Sequence, residues 1–469
     1  MTTAIEVVSG ITLAYFLLVN AIYLGFTATA WRRLLAHQRE AKTLPLDEVL
    51  SSPLTPGVSV LVPAYNEAAG IVVSVRSLLD LRYPRHEVVV VNDGSTDDTL
   101  QRLIDAFELE PVRKALRQDV ACAPVKQVYG SRRYPNLWVV DKENGGGKAD
   151  AINGCLVAAS HEYVCAIDAD AVLEPDALLQ VARPILDDPE VVVATGGIVR
   201  VINGCVLRDG RVVEVGLPKS NLAAVQVLEY FRAFLVGRVG WSSVNALLII
   251  SGAFGLFRRS LVEEIGGWDQ EMIGEDIELV VRMHRRMHEL DQPYRIEFVP
   301  DPVCWTEVPE TLRVLSRQRR RWQRGLGQTL WVHKKLILNP SFGTLGLVAV
   351  PYFLFFEFLS PIIELLGPPF VIVAFLLGRL SFTFFVAFLV VAVLLGFLLS
   401  IAALALEEIN FRRHQRSREL ARLVLLAAFE NVGYRQINAF WRFVAYFDLM
   451  RGRSGWGDMQ KKGLGVPSV

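Results

Sequence analysis

The chain has 469 residues, 52% of them hydrophobic, and its mean hydropathy is +0.33. This length allows one large catalytic domain together with membrane helices, and the hydropathy argues against a protein that is soluble throughout. Lys and Arg together number 49, as do Asp and Glu, so the zero net charge argues against a nucleic-acid partner. The five cysteines include no CxxC pair, which argues against a zinc site and fits a reducing compartment better than a disulfide framework.

The first predicted element is a membrane helix. Residues 11–31 form an apolar run of about 20 residues, long enough to cross a bilayer. Basic residues follow it at Arg32, Arg33, His37 and Arg39, so the positive-inside rule predicts a cytoplasmic end here and an N-terminus outside. A cleaved signal peptide is the alternative, but no basic segment precedes the run and no clear small-residue cleavage site follows it. We therefore expect residues 1–54 to hold one transmembrane helix and a linker.

The next predicted unit, residues 55–309, has the pattern of an α/β domain. Short apolar, β-branched runs at 58–62, 87–91, 137–140 and 163–167 alternate with stretches that are typical of helices. This alternation predicts a doubly wound, mostly parallel sheet. Because ligands bind at the carboxyl ends of the strands in such a sheet, the residues after each run are candidates for a site.

Each of these four runs is followed by polar residues. The sequences are PAYNE at 63–67, NDGS at 92–95, DKENGGGK at 141–148 and DAD at 168–170. Turns are rich in Asp, Asn and Gly in any protein, so each stretch alone is compatible with an ordinary turn. Four in succession at one sheet edge predict a ligand site.

Two of these stretches suit a phosphate ligand and a metal ion. The carboxylates of DAD at 168–170 follow a buried strand and suit a hard cation such as Mg²⁺ or Mn²⁺, which takes few protein oxygens and keeps positions for phosphate and water. The glycines and lysine at 145–148 offer a flexible backbone and one positive charge to phosphate. Their spacing is not that of a Walker A loop.

The sequence GEDIEL at 274–279 contains a candidate general base. A carboxylate at the start of a helix commonly serves as a cap. In the functional interpretation, Asp276 removes a proton from an acceptor hydroxyl as that oxygen attacks a sugar anomeric carbon. Repulsion from the neighbouring Glu275 would keep one proton available on the pair.

The sequence QRRRW at 318–322 lies in residues 310–343, which we expect to form interfacial helices. Arginines there could neutralise a diphosphate through paired hydrogen bonds, and the tryptophan face suits the apolar face of a sugar ring. The alternative is a basic helix beside the membrane that binds anionic lipid.

A second apolar region covers residues 345–406. Basic residues flank it on both sides: His333, Lys334 and Lys335 before it, and Arg412, Arg413, Arg416 and Arg418 after it. Because both flanks are predicted to be cytoplasmic, the number of passes should be even. We predict two transmembrane helices within residues 344–410, the first ending near Leu377 with a kink at Pro361 and the second covering residues 382–406.

Two carboxylates, Glu357 and Glu364, fall inside the first of these helices. Ionisable groups at that depth are expected to face protein or water rather than lipid. The alternative is a helix pair that lies partly in the membrane interface. The contacts of these carboxylates therefore test the assignment.

The last segment, residues 411–469, is predicted to lie on the membrane surface. Residues 420–449 mix apolar and charged positions, which predicts an amphipathic helical hairpin. A basic tail follows and is predicted to be cytoplasmic: Arg451, Arg453, Lys461 and Lys462.

The order of these motifs resembles the processive family 2 glycosyltransferases, a group that includes cellulose, hyaluronan, chitin-oligosaccharide and poly-N-acetylglucosamine synthases. The resemblance covers residues 58–331 and extends to the flanking membrane helices. It implies a GT-A fold, a UDP-sugar donor, dependence on Mg²⁺ or Mn²⁺, and inversion at the anomeric carbon. There are departures, since only one N-terminal span is visible and the insertion at 203–221 has no assigned role.

The resemblance also implies roles for individual residues. Donor binding would fall to Pro63, Tyr65, Glu67, Asp93, Lys148 and Asp168. Metal binding would fall to Asp170 with Asp168, catalysis to Asp276 with Glu275, and contact with the acceptor or diphosphate to Ser251, Gly252, Gln318, Arg321 and Trp322.

We therefore expect an integral protein of the inner (plasma) membrane whose catalytic domain is cytoplasmic. UDP-N-acetylglucosamine is the expected donor, and a growing β-linked polysaccharide the expected acceptor, with membrane lipid as a further partner. The first alternative is transfer of one or a few sugars to a lipid. The second is a membrane scaffold built on an inactive transferase fold, against which the intact Asp170, Asp276 and Trp322 argue. An accessory membrane subunit or a homo-oligomer is compatible with the sequence.

Overall fold

The computed structural model describes residues 2–40, 52, 55–208, 210–411 and 417–452. The chain divides into two compact units. Among the described residues, the sheet unit comprises residues 40, 52, 55–208, 210–216 and 247–308, and the helical unit comprises residues 2–39, 217–246, 309–411 and 417–452. Several predicted features lie outside the described residues: most of the linker before residue 55, and the basic residues Arg412, Arg413, Arg416, Arg453, Lys461 and Lys462.

The sheet unit contains twelve strands among its described residues. They are β1 (Val58–Ala64), β2 (His86–Asp93), β3 (Leu109–Val112), β4 (Val125–Ser131), β5 (Leu137–Lys142), β6 (Tyr163–Ile167), β7 (Val172–Leu173), β8 (Val192–Val201), β9 (Val206–Arg208), β10 (Arg211–Glu214), β11 (Phe254–Arg258) and β12 (Arg295–Thr306). Ten of them form one sheet in the order β3-β4-β5-β2-β1-β6-β11-β8-β12-β7.

Helices in the described residues are α1 (Thr2–Glu40), α2 (Ile71–Leu79), α3 (Thr99–Phe107), α4 (Lys148–Leu156), α5 (Ala177–Asp187), α6 (Asn221–Tyr230), α7 (Val239–Ser242), α8 (Arg259–Glu264), α9 (Glu275–Glu289), α10 (Leu312–Val332), α11 (Val350–Tyr352), α12 (Ser360–Leu376), α13 (Phe382–Leu389), α14 (Leu395–Phe411), α15 (Ser417–Phe429) and α16 (Arg435–Met450). Short π-helical segments connect several of them: Phe231–Arg238, Leu345–Ala349, Phe353–Phe358, Val390–Leu394 and Glu430–Tyr434. Two 3₁₀ turns follow α10: Lys334–Leu336 and Pro340–Phe342.

The four runs predicted as strands are β1, β2, β5 and β6, and they are neighbours in the sheet. All three pairings among them are parallel. Strand β6 is buried at every position, as is expected for a strand covered on both faces. Because the four strands run in the same direction, their carboxyl ends reach the same edge, which confirms the predicted arrangement. The outer part of the sheet is more mixed than predicted, because β11 is antiparallel to both β6 and β8.

The insertion at residues 203–221 contains a small antiparallel hairpin formed by β9 and β10. One side of the hairpin packs on a buried cluster that contains Val172, Ile202 and Trp305. The other side leaves Val206 and Val213 exposed. The hairpin is therefore a folded addition to the sheet unit.

Among its described residues, the helical unit contains two helices that are long and apolar enough to cross a membrane, Ala4–His37 and Phe382–Phe411. A third span is formed if the pair Leu345–Phe358 and Ser360–Leu376, which is bent by 48°, counts as one. The bend falls directly before Pro361, as predicted. A proline in the first turn of α12 fits because the amide hydrogen that it lacks would have no partner within the helix.

The two acidic side chains in the bent pair contact protein groups. The Tyr15 hydroxyl donates a hydrogen bond to Glu364 Oε1 at 2.9 Å. The Arg442 guanidinium lies 3.6 Å from Glu357 Oε2. These partners agree with the expectation that such groups face protein, since a charge is costly in lipid.

Residues 420–449, which were predicted to form a helical hairpin, are helical in α15 and α16. The two helices pack mainly on other parts of the helical unit, α15 on α6 and α16 on α10 and α12. The chain turns between them at Val432 and Gly433, whose backbone is not helical, and Gly433 has a φ of 109°. A glycine adopts this conformation without the steric cost that a side chain would add.

A buried carboxylate at the start of β2 provides a test of the sheet unit. Glu87 is 5% exposed and accepts hydrogen bonds from Ser59 Oγ and the Ser160 amide, both at 2.6 Å. Burial alone would raise the pKa of Glu87, but these bonds and the nearby Lys114 outweigh it, so its pKa is lowered. A carboxyl whose folded pKa is depressed stabilises the fold above its unfolded pKa, and that contribution is lost as the pH falls through the folded pKa.

We predict that Glu87→Gln lowers the free energy of unfolding by about 1–2 kcal/mol at pH 7. The difference from the unmutated protein should shrink as the pH falls below about 4, because the native carboxyl is then protonated as well. The measurement is the melting temperature in detergent across this pH range. Glu110→Gln, at an exposed ion pair with Arg132, is the control and should have little effect. A deficit of the same size at pH 3 and pH 7 would contradict the assignment.

Candidate active site

The loops after β1 and β2 are joined by hydrogen bonds. The Asn66 amide donates to Ser95 Oγ at 3.0 Å, and the Thr96 amide donates to Asn66 Oδ1 at 2.8 Å. Asn66 has a φ of 56°, a left-handed conformation that asparagine tolerates better than most residues. Tyr65 is 50% exposed beside this junction, so its ring is available to a ligand at the sheet edge.

The next two residues of the predicted donor site, Glu67 and Pro63, are both partly exposed. The Glu67 amide donates a hydrogen bond to Thr99 Oγ1 at 2.9 Å. Pro63 lies within β1, where it is paired in register with Val91 of β2. The structure therefore places both residues at the carboxyl edge that the sequence predicted.

Asp93 ends β2 and is buried in an ion-pair triad. Lys142, at the end of β5 and directly opposite Asp93, is bonded through Nζ to both Asp93 and Asp150. The Lys142 side chain has no exposed surface. Burial would lower the pKa of Lys142, but the two carboxylates outweigh this effect and raise it. The triad therefore holds a charged lysine between two strand ends and the first turn of α4.

This triad also fixes the glycine-rich loop. The Gly145 amide donates to Asp93 Oδ1 at 3.3 Å. A Cβ atom at position 145 would lie only 1.8 Å from Asp150 Oδ2, so no larger residue fits without moving that carboxylate. Gly146 has a φ of 86°, a left-handed backbone conformation that glycine adopts without the steric cost of a side chain. The fixed loop therefore determines the position of Lys148, the first residue of α4.

Lys148 is the centre of the site. Its Nζ is bonded to Asp168, donates to the Gly252 carbonyl at 2.8 Å and lies 3.9 Å from Glu275 Oε1. Burial would lower the pKa of Lys148, but the carboxylates of Asp168 and Glu275 outweigh it, so the pKa is raised and the amine is positively charged at neutral pH. Residues predicted from four separate motifs are thus joined by one ammonium group.

Asp276 and Lys148 both bind the backbone of Gly252. The Gly252 amide donates to Asp276 Oδ2 at 3.2 Å, while the Gly252 carbonyl accepts from Lys148. Asp276 lies in the first turn of α9 and remains partly exposed. Ser251 precedes this glycine and is also partly exposed. The candidate base is therefore held in place by a backbone hydrogen bond and still faces solvent.

The residues proposed for a metal ion are Asp168 and Asp170, directly after β6. Both are partly exposed, and Asp168 is also bonded to Lys148. In the part of the chain that the structure describes, no group of three or more His, Cys, Asp or Glu side chains could hold a metal. Two carboxylates nevertheless fit a divalent cation that takes its remaining oxygens from a diphosphate and from water.

The residues of QRRRW lie on α10 in the helical unit. Gln318 is buried, Arg321 is partly exposed and Trp322 is 43% exposed. The expectation that the arginines of this cluster meet a diphosphate needs correction for two of them. Arg319 forms an ion pair with Glu229, and Arg320 forms one with Asp448.

Sequence reasoning missed Lys142, Asp150 and Glu229. A signal existed for Lys142, because a lysine at the end of an apolar strand must either reach solvent or find a carboxylate. Its partner could be identified only from the register of β2 and β5. No local pattern links Glu229 to Arg319, which is 90 residues away in the chain.

The comparisons with known proteins define the class. The model of the family described as "Glycosyltransferase like family 2" matches residues 56–325, which is more than half of the chain. The chain therefore belongs to the family 2 glycosyltransferases, and it is an enzyme with a GT-A domain and apolar helices on either side of it.

Curated relatives narrow the resemblance further. The poly-β-1,6-N-acetyl-D-glucosamine synthase of Staphylococcus aureus (strain COL) is 29% identical over 348 residues, covering 74% of this chain and 69% of the relative. The protein of the same name from Staphylococcus epidermidis is 31% identical over 271 residues, covering 57% of this chain and 54% of the relative.

Solved structures are similar over much of the chain. A mannosyltransferase from Pyrobaculum calidifontis, in complex with GDP-Man and Mn²⁺, is 22% identical with a TM-score of 0.48, and the alignment covers 88% of this chain and 99% of that one. TarS 1–349 of S. aureus, in complex with UDP-GlcNAc, is 17% identical with a TM-score of 0.39, covering 81% and 92%.

The buried lysine of the triad provides a second test. Lys142→Met leaves Asp93 and Asp150 buried beside each other without a cation, and we expect the protein to lose about 3–5 kcal/mol of stability. The measurement is thermal unfolding of the purified protein in detergent. Lys126→Met, at an exposed position of β4, is the matched control. Equal melting temperatures for the two variants would show that the triad does not stabilise the site.

Proposed function

We propose that this chain is an inverting, membrane-embedded synthase that uses UDP-N-acetylglucosamine to elongate a β-linked polysaccharide and moves the product across the membrane. The observation that carries the proposal is the similarity to poly-β-1,6-N-acetyl-D-glucosamine synthases over 74% of the chain. The site around Lys148 supports it, because an ammonium group beside carboxylates that can hold a divalent cation suits a sugar diphosphate donor.

In the proposed donor complex, Tyr65, Glu67 and Asp93 hold the uridine. Tyr65 offers an exposed ring, and the carboxylate of Asp93 is held in a fixed position by its ion pair with Lys142. Lys148 supplies the positive charge that faces the diphosphate, and Asp168 orients that lysine as well as contacting the donor. Donor binding therefore depends on the edge formed by four strand ends.

A divalent cation completes the donor site in this proposal. Asp170 and Asp168 would hold Mg²⁺ or Mn²⁺, which supplies positive charge to the leaving diphosphate when it is bound. The chain contributes the two carboxylates on a rigid strand end, and Lys148 keeps Asp168 in a fixed orientation.

Asp276 is the proposed general base. The Gly252 amide holds its carboxylate at the first turn of α9, where it takes the proton from an acceptor hydroxyl. The acceptor oxygen then forms a bond to the anomeric carbon as the bond to the diphosphate breaks, with inversion and release of UDP. Glu275, which is buried near Lys148, adds negative charge that helps to keep this lysine protonated.

The proposed acceptor contacts come from two segments. Ser251 and Gly252 lie beside the base, and Trp322 offers a partly exposed indole ring for stacking on the acceptor sugar. Gln318 and Arg321, on the same helix as Trp322, are proposed to contact the diphosphate or the acceptor end. These assignments rest on the family resemblance together with the exposure of each residue.

The proposed topology uses three passes. Helix α1, the bent pair and the segment Phe382–Phe411 each cross once, which puts the N-terminus outside and residues 55–309 in the cytoplasm. A second candidate function is transfer of one or a few sugars to a lipid acceptor. It is favoured by the small number of spans, at most three in the described residues, which leaves few helices to surround a polymer.

The test is product formation by the purified protein with a panel of UDP-sugars and Mg²⁺ or Mn²⁺. We expect that, of the UDP-sugars in the panel, only UDP-N-acetylglucosamine gives a product of high molecular weight. EDTA should abolish formation of this product. Short lipid-linked product would support the second candidate function. Polymer formed from another UDP-sugar would contradict the proposed donor.

The base assignment has its own prediction. Asp276→Asn should lower kcat by about a hundred- to ten-thousandfold, because the variant cannot accept the acceptor proton, with a small change in the KM for the donor. The measurement is UDP release at saturating donor. Glu289→Gln, at the exposed far end of the same helix, is the control and should retain activity. A kcat for Asp276→Asn that matches the control would exclude the assignment.

A further inference from the structure

A bidentate ion pair lies directly behind the QRRRW segment in the helical unit. The Arg319 guanidinium donates to Glu229 Oε1 at 2.6 Å and to Oε2 at 2.7 Å. The Arg319 side chain is only 6% exposed and that of Glu229 is 23% exposed. The Tyr434 hydroxyl donates a further bond to Glu229 Oε2 at 3.0 Å. A planar guanidinium held by two parallel bonds to a carboxylate has little freedom to rotate.

The same guanidinium lies over the indole ring of Trp322. The central carbon of Arg319 is 4.5 Å from the ring centroid, within the range of a cation–π contact. The two residues are three apart on α10, so their side chains project from the same side of the helix. Contacts therefore run from Tyr434 and Glu229, through Arg319, to one face of Trp322.

The neighbouring arginine provides an internal comparison. Arg320 donates from Nε to Asp448 Oδ2 at 2.8 Å, which anchors α10 to α16. This pair resembles the first in chemistry and in its position on the helix. It differs in its acceptor, which is carried by α16 rather than by α6.

We propose that Glu229 is a positioning residue for the transferase reaction: through Arg319 it fixes the indole ring of Trp322 in the orientation that stacks on the acceptor sugar. This inference rests on the proposed function, because it takes Trp322 as the acceptor contact. Without the carboxylate, Arg319 is released from its fixed plane, and the ring loses the cation that covers one of its faces. Glu229 touches neither substrate, so its loss acts through Trp322.

The direct test observes the ring itself. The full-length protein, which has nine tryptophans, is labelled with 5-fluorotryptophan and examined in detergent by ¹⁹F NMR, and the Trp322 resonance is identified by its absence in Trp322→Phe. We expect Glu229→Gln to shift or broaden this resonance and Asp448→Asn to leave it in place. An unchanged Trp322 resonance in Glu229→Gln, or the same change in Asp448→Asn, would overturn the proposal.

A kinetic comparison tests the consequence for the acceptor. With a β-1,6-linked N-acetylglucosamine oligosaccharide as the probe, Glu229→Gln should raise the acceptor KM by about three- to tenfold and leave the donor KM unchanged. In a Trp322→Ala background the same substitution should add nothing, because the ring that it positions is gone. An additive effect in that background, or an acceptor KM that Trp322→Ala does not alter, would overturn the proposal. The ¹⁹F comparison needs no turnover, so it distinguishes a failure of the positioning from a failure of the proposed function.

Discussion

The charged amine of Lys148 is the group on which the geometry of the candidate active site depends. It is largely buried, and a buried ammonium is stable only if anions and hydrogen-bond acceptors surround it. Asp168, Glu275 and the Gly252 carbonyl provide this environment. Since these three groups come from separate segments of the chain, the lysine holds together the strand end after β6, the turn before β11 and the start of α9. Asp276 is fixed at the Gly252 amide as a result.

Paired buried charges also organise the helical unit. The Arg232 guanidinium is bonded to Glu430 and to Ser400 Oγ, and Arg319 is bonded to Glu229. Removing one residue of such a buried pair leaves the charge of the other uncompensated, which strongly destabilises the fold. Directional ion pairs therefore supply geometric precision that apolar packing between helices does not. In α10 this precision extends to the exposed ring that is proposed to meet the acceptor.

The sequence was sufficient to predict the parts of the fold that depend on local patterns. The strands β1, β2, β5 and β6, the bend before Pro361 and the helical character of α15 and α16 followed from apolar periodicity, proline and charge. The convergence of four motifs followed from the parallel order of the strands. The position of Lys142 between two carboxylates could not be predicted, because it depends on strand register. The pairing of Arg319 with Glu229 depends on the tertiary packing of helices and was likewise hidden.

We propose that Lys148 and Asp276 act as one unit through the backbone of Gly252, whose carbonyl accepts from Lys148 and whose amide donates to Asp276. A double-mutant cycle measures this coupling, with kcat and the donor KM determined for Lys148→Met, Asp276→Asn and the double variant. Groups that act together show strongly non-additive losses, so the double variant should be about as impaired as the worse single variant. Losses that multiply would contradict the account, because the two residues would then contribute independently.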